Sequence, residues 1–200
     1  MPQTQLTKNE LKKQRDSLIL YSRYLPTLQL KKQQLQTVLR KINERLKNKK
    51  TELEKELGEI DKWISVAAEP FELENFIVVN EIKINAVSIA GVTLPVFDSV
   101  TYRNVPYNLF TTPLWIDTTI CKAKKLKSLF IEISTLEKQY DLLHNELTTT
   151  TQRVNLFEKV KIPQAKNLIR RIQIVLADQQ TAAVVRGKIS KRKLSEKKQK

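Results

Sequence analysis

The chain has 200 residues, with 36 Lys and Arg against 21 Asp and Glu and a formal charge of +15. Three glycines are too few for a turn-rich globule, and the stock of Leu, Lys, Glu and Gln favours long helices. No apolar run approaches the roughly 18 residues of a membrane span, and Met1 to Leu11 has no apolar signal core. The expectation from these two absences is a soluble intracellular protein, and the lone Cys121, which permits no internal disulfide, agrees with a reducing compartment.

From Asn9 to about Ile64 the apolar residues fall on a seven-residue repeat. Leu11, Leu18, Leu25, Leu39, Leu46, Leu53 and Ile60 form one row; Tyr21, Leu28, Leu35, Ile42 and Trp63 form the second. Rows held in phase this long are the pattern of a paired helix. Thr7 or Asn9 is placed to cap this helix, with Glu10 in its first turn. Pro26 removes a backbone donor and is expected to bend the helix near Arg23 to Leu25 without ending the phase. Lys32 and Lys49 interrupt the core rows, where such residues set register or mark a third packed element.

After Pro70 the period changes to two. Ile82 and Ile84 alternate with Lys83 and Asn85, and Val92, Leu94 and Val96 alternate with Thr93 and Pro95. Ala90-Gly91 between the halves predicts a β-hairpin turn. An isolated hairpin is marginal, so it is expected to lie on the helices or on a partner. Pro106 and Pro113 mark a linker, and Asp117 or Thr118 is placed to cap a second long helix.

That helix repeats Leu126, Ile133, Tyr140, Leu147, Val154, Leu168 and Val175, with Leu129, Leu136, Leu143 and Phe157 beside them. Ile162-Pro163 marks a second kink, and beyond Gly187 the rows fade into a basic tail expected to fray. The predicted fold is therefore all-α dominated: an antiparallel two-helix coiled coil with a small central hairpin and an irregular linker. Its parts are an extension (1–8), a helix (9–69), the hairpin and linker (70–116), a helix (117–186) and the tail (187–200). Charge divides along the chain as well. Val66 to Thr118 holds six acids against Lys83 and Arg103, whereas the last fifteen residues hold eight bases against Glu196.

Little in the chain suggests chemistry. Gly58, Gly91 and Gly187 do not form a phosphate loop, and one His144 with one Cys121 makes no zinc cluster. His144 reads as a helix-surface residue, Cys121 as a small half-buried side chain, and Glu52, Glu54 and Glu56 as a solvated face. The basic tail suits phosphates but lacks interleaved aromatics, so nucleic acid is not the expected partner. No catalytic, cofactor or metal site is expected.

The stretch Arg153-Val154-Asn155-Leu156-Phe157-Glu158-Lys159-Val160-Lys161-Ile162-Pro163 resembles the signature on the C-terminal helix of the D-subunit family of V-type (V/A-type) ATPases. Asn167 to Ile172 and Lys191-Arg192-Lys193-Leu194 continue the resemblance. Leu6 to Leu11, Tyr24 to Leu35 and Ala90-Gly91-Val92-Thr93-Leu94-Pro95 are similar to its opening, its Lys-rich run and its central Gly-Val-x-x-Pro. Pro26 and Thr112 to Thr118 are nearest the branch found in chlamydia-like organisms, although many relatives carry glycine in place of Pro26. The resemblance implies a non-catalytic central-stalk protein at the cytoplasmic face of a membrane complex, not itself inserted in the membrane. Its implied partners are the catalytic A and B subunits, the rotor F-subunit and the funnel-like component that joins the axle to the membrane ring. A free-standing coiled-coil scaffold and a basic nucleic-acid-binding helical protein remain as the other readings of the residues.

Overall fold

The computed structural model describes residues 6–62, 76–106, 112–113 and 115–198, with side chains through residue 195. Trp63 and the Pro70 helix end lie outside the described residues. The chain is mostly helical, with a long N-terminal helix α1 (Lys8–Asp61) and an antiparallel hairpin of β1 (Val79–Ile89) and β2 (Val92–Tyr102). Helix α2 (Ile116–Asn155) passes through a six-residue π turn (Leu156–Lys161) into α3 (Ile162–Lys198). Two compact units contain these elements: a central unit, residues 32–149, and a terminal unit of residues 1–31 and 150–200.

In the central unit the heptad rows close a core. Leu35 and Ile42 on α1, and Leu136 and Leu143 on α2, are each seven residues apart and all buried. Ion pairs fix their direction. Lys49 binds Glu132 at 3.1 Å, Lys50 binds Glu137 at 2.7 Å, and Glu56 accepts from Lys122 at 3.0 Å. Lys49 and Lys50 face Glu132 and Glu137, whereas Glu56, further along α1, faces the earlier Lys122, so the helices run antiparallel here.

The fifth core residue is Leu94, from β2, only 1% exposed. The hairpin therefore completes the helix seam. Gln139 donates its side-chain amide to the Pro95 carbonyl, the Tyr102 hydroxyl donates to the Lys124 carbonyl at 2.8 Å, and the Lys127 ammonium donates to the Ile77 carbonyl at 3.2 Å. Burial pushes the Tyr102 hydroxyl pKa up. The turn is tight because Ile89 pairs with Val92, leaving two residues to reverse the chain. Ala90 and Gly91 both take positive φ, 52° and 77°, as a type I′ turn requires. Strand β1 is exposed along nearly its whole length, Ile82 and Ile84 included.

In the terminal unit Thr7 is the cap of α1. Its hydroxyl accepts the Glu10 backbone N–H at 3.3 Å, and Asn9 lies inside the helix. Pro26 is contained within α1, which continues on both sides of it. Tyr21 stacks on Phe157 with ring centroids 5.4 Å apart.

The π turn revises the apolar rows expected after Phe157. The Ile162 N–H bonds to the Phe157 carbonyl five residues back, and Pro163 has no N–H to offer Lys159. One extra residue is taken up in the turn. The row Thr150–Phe157 then steps by eight to Ala165 and by seven to Ile172, which are 4% and 0% exposed. The row from Val154 likewise steps to Ile162, Ile169 and Leu176. An unbroken seven-residue count would have seated Lys161, Gln164 and Arg171, all of which are exposed. Leu168 and Val175, expected on the row, are half-buried beside it.

Three other expectations change. Helix α2 begins at Ile116, so Asp117 and Thr118 sit in its first turn. Helix α3 runs on through Gly187 to Lys198, so the basic tail is helical: one glycine costs about 1 kcal/mol against alanine, which good helix formers such as Lys, Arg and Leu on either side offset. Cys121 is exposed.

Candidate functional site

The expected seam residues differ in depth. Leu35, Ile42, Leu129, Ile133, Leu136, Leu143 and Val154 are buried. Leu18, Leu25, Leu28, Leu39, Leu46, Leu126, Tyr140, Leu147 and Phe157 are half-buried, as expected for a pair of helices in which one flank of each row meets water. Of the signature residues, Arg153, Asn155, Glu158 and Pro163 are exposed, Val154 is buried and Ile162 is half-buried. They form and border the π turn, so much of the motif faces outward.

Sequence reading missed the polar contacts between helices. Glu56, expected on a solvated face, has a side chain only 12% exposed between Lys122 and Lys125. Hydrogen bonds from Lys125 and then Lys122 hold its carboxyl pKa below the usual value. Lys122 also reaches Glu59 at 2.6 Å, and its pKa is raised by Glu59 and Glu56. Lys49, the apparent flaw in the core row, is bonded to Glu132 and Glu52; the Glu132 bond is the main cause of its raised pKa. The spacing of Glu52, Glu56 and Glu59 was visible, but not which lysines α2 would bring to them. His144 is exposed and stacks on Tyr140, with centroids 5.9 Å apart.

Charge separates by unit more sharply than along the chain. The terminal unit holds 20 of the 36 Lys and Arg but only 5 of the 21 acids, so the whole formal +15 resides there. The central unit holds 16 of each and is neutral. Its features are instead apolar grooves. One, of about 620 Å³, has Ile42, Leu94 and Leu136 in its lining and Lys41 and Arg45 along its α1 side. Another, of about 650 Å³, runs between Ile82 and Ile84 of β1 and Leu126 and Phe130 of α2. Among the described residues there is no group of three or more His, Cys, Asp or Glu able to hold a metal, and no helix long and apolar enough to cross a membrane.

The family model for the ATP synthase D-subunit matches this chain across residues 10–192, from α1 through the hairpin and the signature turn into α3. The chain belongs to that family. A V-type ATP synthase D-subunit from Borreliella burgdorferi is 49% identical over 197 residues, covering 98% of each chain. The proteins of the same name from Chlamydia pneumoniae and Chlamydia muridarum are each 31% identical, covering 96% and 98% of this chain and 93% and 98% of their own. The chain is thus more similar to the Borreliella protein than to the chlamydial ones, against the expectation drawn from Pro26 and Thr112 to Thr118.

Proposed function

We propose that the chain is the central stalk of a rotary V-type ATPase or ATP synthase, coupling nucleotide turnover in a catalytic head to ion movement in a membrane ring. The observation that carries this is the D-subunit family match over residues 10–192. The stalk works mechanically and supplies no reacting group. Its task is to make otherwise equal catalytic sites unequal. A surface biases a site only if it contacts that site's states differently, and two helices of unlike sequence present a different face to each of three surrounding sites. The interhelical ion pairs and the wedged hairpin resist relative movement of α1 and α2 in the central unit, as torque transmission requires.

The charge division suggests where the partners meet the chain. The terminal unit, with its net +15, would enter the bore formed by the A and B subunits. The neutral central unit, with apolar grooves on both sides of its hairpin, would meet the rotor F-subunit and the funnel-like component, at the cytoplasmic face of the membrane.

The deciding experiment is a pull-down of the tagged full-length chain at moderate salt, scored for bound A and B subunits and ATP hydrolysis. Recovery of both is expected. Self-association alone would favour a scaffold. Recovery of nucleic acid with a steep salt dependence, and no hydrolysing complex, would overturn the axle.

A further inference from the structure

We infer that the terminal unit carries a discrete apolar docking patch, Leu20, Tyr24, Leu156 and Val160, for a protein wall that offers apolar side chains ringed by carboxylates. All four are well exposed, at 49%, 55%, 43% and 38%. Their positions relative to the Tyr21–Phe157 stack place them together. Leu20 and Tyr24 lie one residue before and three after Tyr21, and Leu156 and Val160 lie at the same offsets from Phe157. Tyr21 meets Phe157 while Leu11 lines a groove with Leu176, so the helices run antiparallel here; a local two-fold through the stacked pair then carries equal offsets to the same side, at mirrored heights within about 5 Å above and below the stack. Residues four apart share one helix face, so the four side chains form a single cluster across both helices. Leu156 and Val160 belong to the π turn.

The surroundings of the cluster define its occupant. Arg23 and Lys159 share the offset two beyond the stack, and Arg153 lies one turn from Leu156. All three are exposed, and no described carboxylate pairs with them. A second copy of this chain is disfavoured, because two terminal units of +15 each would repel. Nucleic acid suits the cations but gains nothing from three aliphatic side chains. A protein surface with carboxylates around an apolar centre satisfies both features. The terminal unit has other exposed apolar side chains, Ile19 and Ile174 among them, but these four gather on one side of the Tyr21–Phe157 stack, and a gathered apolar patch marks a protein contact. The patch rests on the proposed axle role, and the wall it names is the inner surface of the A and B subunits. Steering comes from the whole +15; seating comes from these four residues.

The test uses the full chain and purified, assembled A and B subunits. Leu20→Ser with Leu156→Ser should leave helicity and Tm unchanged, since both sites are exposed. It should nevertheless weaken head binding at least about tenfold at both ~0.15 M and ~0.5 M salt, because salt screens charges and not apolar contact. Arg23→Ser with Lys159→Ser should weaken it mainly at the lower salt. Leu142→Ser, equally exposed in the central unit, should bind the head normally. A photoreactive side chain at position 156 should crosslink to A or B. Wild-type affinity in the double Leu variant, or crosslinks at 156 that reach neither subunit, would overturn the patch while leaving the axle intact. Failure of the wild-type chain to bind the head at all would overturn both. Binding of duplex DNA that is lost in the double Leu variant would replace the protein wall with nucleic acid.

Discussion

Replacing Leu94 with alanine asks whether the hairpin is part of the core or a passenger on the helices. Leu94 is 1% exposed among Leu35, Ile42, Leu136 and Leu143. The substitution removes three carbon atoms, worth about 2.4 kcal/mol of transfer free energy at about 0.8 kcal/mol each. Incomplete closure of the cavity raises the expected cost to roughly 2.7–5 kcal/mol. The space it leaves adjoins an open groove, which lets solvent or neighbouring side chains relax into it and favours the lower part of that range. Leu143→Ala, at 0% exposure within the seam, should cost about the same or slightly more. Leu39→Ala, half-buried at the edge of the core, should cost less, on the order of 1–2 kcal/mol. Urea unfolding of the full chain followed by helical circular dichroism gives all three, with the midpoint read at constant slope. A loss under about 1 kcal/mol for Leu94→Ala beside a large loss for Leu143→Ala would refute the wedged hairpin. A near-zero loss for both would refute the paired seam itself.

Other outcomes follow from the same contacts. Deleting Lys161 should leave helicity and the Ala165–Ile172 face nearly intact, because the π turn already holds one residue more than the row needs; deleting Asn167, in regular α3, should carry buried Ile172 about 100° off that face, and equal losses of Tm for the two would contradict the eight-residue step. Glu56 has a depressed pKa, so its contribution to stability is full above the ordinary carboxyl value of 4.5 and falls away as pH drops through the lowered pKa. Lys49 and Lys122 have raised pKa values, so theirs is full below 10.5 and is lost as pH rises through the raised values. Glu56→Gln should flatten the acid side of a Tm–pH curve, and an unchanged acid limb would remove Glu56 from the stabilising network. Ala90→Gly should raise stability by up to about 1 kcal/mol, because alanine at φ 52° bears a left-handed strain that glycine escapes; a loss measured by urea unfolding would contradict the type I′ geometry.

The helices, their phase as far as Phe157 and the hairpin are legible in the order of residues alone. A seven-residue row such as Leu129, Leu136, Leu143 repeats a local geometry, and Ala90-Gly91 answers a local need for positive φ, so both are written in neighbouring residues. The signature from Arg153 to Pro163 was enough to indicate the family. Features that depend on residues far apart emerge only in the packed chain. Leu94 reads as one of several alternating strand residues until α1 and α2 enclose it. Glu56 reads as solvated until α2 brings Lys122 and Lys125 within reach. The step from Phe157 to Ala165 lies between: polar Lys161, Gln164 and Arg171 fall where an even count wants apolar residues, a signal that the even row through Leu168 and Val175 passed over, and the bond from Ile162 to Phe157 locates the extra residue. Periodicity records which face of a helix is apolar; which partner covers it, and which charge waits opposite, is set by the packing of distant segments.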